Sequence, residues 1–156
     1  MIFVGGGAYE ACQEIKTLAE TLQAPVISYQ NGRGILDERH YLAHTNTAGA
    51  ILWKNCDAAI SIGCRMQAER MSWGMDDALK IIHVDIDPTE INRITKPDVG
   101  LVSDAAFTTR KIIDALNKYN LKRTSREEEM LNLKAQAEKL MEEKAGPQMA
   151  WLRALR

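Results

Sequence analysis

Residues 79–90 read LKIIHVDIDPTE, and this stretch decides the fold. From Leu79 to Asp87 the run is apolar with no polar alternation until its acidic end, as in a strand buried on both faces of a parallel sheet. Asp87, Pro88 and Glu90 then occupy the N-cap, N1 and N3 positions of a helix start. The Asp offers an acceptor to free N–H groups, the Pro loses no hydrogen bond there, and the Glu suits the positive end of the helix. A strand that feeds a helix with no hairpin signal requires a crossover to a parallel neighbour.

Working outward, the same alternation recurs. Ile2–Val4 is a short apolar strand, followed by Gly5-Gly6-Gly7 and then by Ala8, Ala11, Cys12, Ile15, Leu18, Ala19 and Leu22 at helical spacing. APVIS (24–28) is the next strand, and NGRGILDERH (31–40) is a turn-rich loop carrying Gly32 and Gly34. The helix-like TAGAILWKN (47–55) leads through Asp57 to the apolar AAISIGC (58–64). DVGLVSD (98–104) is a last strand, and Asp104 caps a helix with Ala105, Ala106, Ile112, Ile113 and Leu116 on its apolar face. Five β segments separated by helices predict an α/β, doubly wound parallel sheet.

After Asn120 the character changes. Residues 121–146 are highly charged, with a stripe of Met130, Leu133, Ala137 and Leu140, and read as a peripheral or linker helix. Gly146-Pro147 breaks it, and residues 147–156 start another amphipathic helix that stops in mid-pattern at Arg156, as at the beginning of a further unit. The expected organisation is therefore a domain over 1–120, a helix over 121–146 and the start of another domain over 147–156.

The 156 residues are 46% hydrophobic, enough for one packed core, and carry a net charge of −1. So small a charge gives no field to recruit nucleic acid or anionic lipid. No apolar run approaches the roughly 18 residues of a membrane span, and no basic targeting region precedes the first strand, so a cytoplasmic location is expected. Cys12, Cys56 and Cys64 are odd in number and lack a C-x-x-C pair, the pattern of reduced, buried thiols.

In an open α/β sheet, ligands gather at the carboxyl ends of the strands. Those ends carry Gly5-Gly6-Gly7, Tyr29-Gln30-Asn31-Gly32, Gly63-Cys64-Arg65, Asp85-Ile86-Asp87 and Ser103-Asp104, which are expected to line one crevice. Arg65 offers a forked donor for a phosphate, and Asp85 or Asp87 an acceptor for a ribose hydroxyl, although Asp87 is equally explained as a helix cap. The three glycines either permit a tight strand-to-helix turn or bring backbone N–H groups to a phosphate or adenosine. A dinucleotide fingerprint requires a small residue where Glu10 stands and an acid near Ser28-Tyr29, so NAD is not expected. His40 and His44 lie four apart in loop-like sequence with no third ligand, so no metal site is read there. His83 is read as a core residue with a satisfied ring, Glu127-Glu128-Glu129 as a solvated helix face, and Asp76 and Asp77 as adjacent residues that point apart. No nucleophile and base come together, so no catalytic residue is assigned.

Taken in order, VGGGA, APVISYQNGRGILDERHYL, CDAAISIGCRMQAER, IIHVDIDPTEI and VSDA resemble the central domain of thiamine-diphosphate-dependent enzymes of the acetolactate synthase type, over about Ile2 to Leu116. The resemblance implies a Rossmann-like sheet of about six strands, set between an N-terminal pyrimidine-binding domain and a C-terminal diphosphate-binding domain of a homo-oligomeric enzyme. It places the activating glutamate, thiamine diphosphate and Mg2+ in those flanking domains. In acetolactate synthases the central domain holds FAD, which carries over to Gly5, Gly6, Gly7, Tyr29, Gln30, Asn31, Gly63, Arg65, Asp85, Ser103 and Asp104. In oxalyl-CoA decarboxylases ADP takes a similar crevice, and other members leave it empty and structural.

Overall fold

The computed structural model describes residues 1–74 and 78–154. Its strands are β1 (Ile2–Val4), β2 (Val26–Ser28), β3 (Ala43–His44), β4 (Ala58–Ile62), β5 (Lys80–Asp85) and β6 (Val99–Val102). Between and after them run α1 (Cys12–Leu22), α2 (Asn46–Trp53), α3 (Pro88–Ile91), α4 (Ala105–Asn117), α5 (Glu127–Ala145) and α6 (Met149–Ala154). Short 3-10 turns at Gly6–Ala11, Gln30–Gly32 and Gly146–Gln148 and a π-turn at Glu69–Trp73 complete the chain.

All six strands are parallel, in the order β3-β2-β1-β4-β5-β6. The doubly wound sheet expected from the alternation is therefore present. β1 is central because its three residues are apolar and fully buried; Ile2 pairs with Val26 on one side and with Ile60 on the other. Period-two alternation splits the core. Ile2 and Val4 join Ile15 and Leu18 of α1 and the inner face of α4, whereas Phe3 joins Trp53, Met66 and Ile81. Phe3 meets Trp53 edge-on at 5.8 Å between ring centroids, and Trp53 donates its indole N–H to the Gly74 carbonyl at 2.6 Å. The Trp thus buries its ring without stranding its polar atom.

Three local features differ from the sequence reading. The sequence reads as loop over β3; at two residues the strand is too short to show alternation, yet Ala43 and His44 pair with Val26 and Ile27. The helix after the glycines starts as a 3-10 turn, and α1 begins only at Cys12. The third is His83, whose Nδ1 donates to the Ile91 carbonyl at 3.4 Å while Nε2 has no hydrogen-bond partner among the described residues. Its ring is half satisfied, because the Asp85 carboxylate that Nε2 faces stands 4.0 Å away, beyond hydrogen-bond reach. Asp76 and Asp77 lie outside the described residues.

The stripe on α5 faces inward, with Met130, Leu133 and Ala137 buried in the main core cluster. Arg126, just before α5, donates to the Gln23 carbonyl at 3.3 Å, and Lys134 donates to the Glu38 and His40 carbonyls at 2.8 and 2.7 Å. Among the described residues no helix is long and apolar enough to cross a membrane.

Candidate functional site

From β1 the chain winds outward to β2 and β3, then returns to place β4 on the other side. A crevice opens at the carboxyl ends where such a sheet changes direction. Here it measures about 620 Å³. Of the residues named from sequence, Gly5, Gly6, Gly7, Tyr29, Gln30, Asn31, Gly63, Arg65, Asp85 and Asp87 line it. Gly32, Ser103 and Asp104 sit outside its lining: Gly32 packs under the Val4 carbonyl, Ser103 donates its N–H to the Asp85 carbonyl at 3.0 Å, and Asp104 caps α4 by accepting from Phe107 N–H at 2.7 Å.

The glycines divide into two kinds. A Cβ on Gly5 would lie 2.5 Å from the Gly63 carbonyl oxygen, and one on Gly7 2.9 Å from the Gly63 Cα. Gly63 itself has φ +58°, and its Cβ would fall 2.5 Å from the Gly7 carbonyl carbon. These three let the β1 and β4 turns touch backbone to backbone. At Gly6 the nearest atoms are Asn31 Cβ at 3.5 Å and Asn31 O at 3.6 Å, so its missing side chain leaves crevice space. The N–H groups of Gly5, Gly7 and Ala8 are engaged with Ile62, Gly63 and Gly5 carbonyls. The turn therefore spends those three donors on itself.

Arg65 extends from the β4 turn and is gripped by Glu90, with Nε donating to Oε2 at 2.7 Å and Nη2 to Oε1 at 3.0 Å. Arg93 adds a 2.5 Å bond to the same carboxylate. The Arg65 and Arg93 guanidinium groups hold the Glu90 carboxyl below its ordinary range. Asp87 is a helix cap, accepting from Thr89 N–H at 2.8 Å and its hydroxyl at 2.7 Å. Asp85 accepts from Asp87 N–H at 3.0 Å through Oδ1, with Oδ2 4.0 Å from His83 Nε2. The crevice thus sets one cation, Arg65, against the carboxylates of Asp85, Asp87 and Glu90.

Sequence reasoning gave Glu90 only the role of a first-turn acid. The signal was in its position, because the first turn of a helix that follows a strand necessarily stands at the sheet's carboxyl edge. It also missed Glu69. Fully buried on the π-turn, Glu69 accepts a hydrogen bond from the Tyr29 hydroxyl, while its Oε1 has no hydrogen-bond partner among the described residues. Burial raises its carboxyl to about 7. The neighbouring Arg70 donates to the Thr95 carbonyl at 2.8 Å, and its Nε and Nη2 are unpaired among the described residues. Cys64 lines the crevice, but burial pushes its thiol up to about 11, so it is not a ready nucleophile. Among the described residues no three ligands gather to hold a metal ion.

The family described as "Thiamine pyrophosphate enzyme, central domain" matches residues 1–116. The chain is 34% identical over 133 residues to a "Probable acetolactate synthase large subunit" of Methanocaldococcus jannaschii, covering 78% of the chain and 22% of that protein. It is 33% identical over 138 residues to a protein of the same description from Methanococcus aeolicus, covering 81% and 23%. With an "Acetolactate synthase" of Mycobacterium leprae it shares 31% over 133 residues, covering 78% and 21%. The chain spans about a fifth of the length of these curated relatives. The all-parallel winding of the sheet and a match over most of its length lead to the same conclusion: this chain belongs to the family of thiamine pyrophosphate enzyme central domains.

Proposed function

We propose that the chain serves as the central domain of a thiamine-diphosphate-dependent 2-keto acid decarboxylase or carboligase of the acetolactate synthase type, with its crevice as the seat of a nucleotide, FAD or ADP. The observation that carries this reading is the crevice itself, bounded by the turns after β1, β2 and β4 in a chain related to acetolactate synthase large subunits. Gly6 leaves room for a ligand, Asp85 has an oxygen to offer a ribose hydroxyl, and Arg65 stands where a phosphate would need a cation. Thiamine diphosphate supplies the carbanion chemistry of such enzymes, and with Mg2+ it belongs to flanking domains of the same polypeptide. This chain's residues bind and position; none of them moves a proton in the reaction. The full-length protein works as a cytoplasmic homo-oligomer.

The test is the visible absorbance of the purified full-length protein, with released cofactors identified by mass. A flavin at one per chain supports the acetolactate synthase branch. A colourless protein that releases ADP moves it to an oxalyl-CoA decarboxylase-like lyase, and release of neither overturns the nucleotide seat.

One observation favours a second reading, a structural domain whose crevice stays empty. Glu90 already occupies the Arg65 fork, and the remaining lining charges are acidic. On the nucleotide reading, Glu90→Gln frees Arg65 and tightens ADP binding by several-fold in calorimetry; on the empty-crevice reading, neither protein binds ADP.

A further inference from the structure

A second cavity, of about 370 Å³, lies on the β3 side of the molecule and shares Gln30 with the crevice. It is bounded by the end of β2 and the segment 30–38, the carboxyl end of β3, the start of α2 and one side of α5. Leu36, Ala43, Ala48, Ala137 and Met141 form an apolar strip of its wall, and the remaining lining residues are polar or charged, Arg33 and Lys134 among them. Its size and lining are those of a small-molecule site.

Set into that wall is an anomaly. His44, the last residue of β3, is 6% exposed, and neither ring nitrogen has a hydrogen-bond partner among the described residues. Buried polar groups are almost always paired, so an imidazole with both nitrogens unmet beside a cavity points to a missing partner. Two further donors converge there. Lys134 donates hydrogen bonds to the Glu38 and His40 carbonyls, leaving a third ammonium N–H for a ligand. α2 begins at the same wall, and its N-cap Thr45 makes no side-chain capping bond, so the positive end of the helix is uncapped by that side chain.

The acidic groups in the lining do not cancel this arrangement. Glu38 and Asp37 face the Lys134 charge, but Glu38 is held by Arg33 through bonds of 2.7 and 2.5 Å and Asp37 by Arg39, and Glu138, one turn beyond Lys134, is exposed to solvent. We propose that the cavity binds a small organic carboxylate with an apolar body, the anion meeting Lys134, the His44 ring and the start of α2, and the body lying along Leu36, Ala137 and Met141. A bare inorganic anion gains nothing from the apolar strip, and a neutral ligand gains no charge-assisted bond from Lys134. Burial, and secondarily the charge of Lys134, lower His44 to about 4, so the ring is neutral at physiological pH. A carboxylate beside it favours the charged ring and raises that value.

The experiment is a titration of the full chain with sodium benzoate, followed through the His44 Cε1–H resonance, with benzamide and inorganic phosphate as comparison probes. The expected result is a saturable shift with benzoate alone and a rise in the pH at which His44 titrates. Lys134→Met weakens binding by roughly tenfold, the order set by losing one charge-assisted hydrogen bond. Because Lys134 also ties α5 to the β3 loop, Glu138→Gln provides a variant that leaves those bonds alone, and it tightens binding. Equal saturation by benzamide overturns the anion's role, and equal saturation by phosphate overturns the apolar one. Absence of any saturable shift overturns the site.

Discussion

At Gly6 a new side chain would meet only Asn31, whereas at Gly63 it would meet the backbone of Gly7 from a left-handed conformation. The two positions separate ligand space from folding. Gly6→Val is expected to keep its melting temperature within about 2 °C of wild type while abolishing nucleotide uptake. Gly63→Ala costs about 2 kcal/mol or more, lowering the melting temperature by roughly 4–8 °C. Thermal melts paired with nucleotide titrations check both. Glu69 makes a prediction in pH. Its carboxyl, raised from 4.5 to about 7, favours the folded state when protonated, so its contribution is complete below pH 4.5 and lost as pH rises toward about 7. His44, lowered from 6.5 to about 4, works in the opposite sense, with stability falling as pH drops through that range. The two contributions oppose each other, so the informative quantity is the difference between Glu69→Gln and wild type. That difference should be near zero at pH 4.5 and reach at most about 3 kcal/mol in favour of the variant above pH 7, measured by urea unfolding.

Among the elements, α5 joins a charged exterior to a core-facing stripe. Met130 is fully buried although it is the fourth residue of a helix opening with Glu127-Glu128-Glu129. Met130→Ala is expected to cost about 2–5 kcal/mol in chemical denaturation, as for other large buried side chains. The stripe was legible because a helix repeats its face every three to four residues, and β5 with α3 was legible because Asp87, Pro88 and Glu90 punctuate the junction. β3 was not legible: two residues carry no period, and Ala43-His44 becomes a strand only because β2 offers it an edge. The strand ends after β1, β2, β4 and β5 were readable because each apolar run stops at glycine, polar residues or acid, whereas Ser103 and Asp104 after β6 fall outside the crevice lining. The grip of Glu90 on Arg65 was not readable, because it joins residues 25 apart that meet only once β4 and β5 are paired. The same limit hid the contact between Tyr29 and Glu69, which are 40 residues apart.

For the molecule as a whole, the sheet order places every strand beside a parallel partner and leaves no pair that a tight turn can join. β1 is the clearest case, since Ile2 pairs with Val26 and with Ile60. On the ribosome, β1 precedes the other five strands of this sheet but gains its second neighbour only after β4 emerges. At a synthesis rate of roughly 5–20 residues per second, that interval lasts ~3–12 s. Throughout it, the most apolar strand of the sheet has an open hydrogen-bonding edge, a template for any passing extended chain. Of the six strands, β1 thus waits longest for its second neighbour, although it ends at the centre of the native sheet.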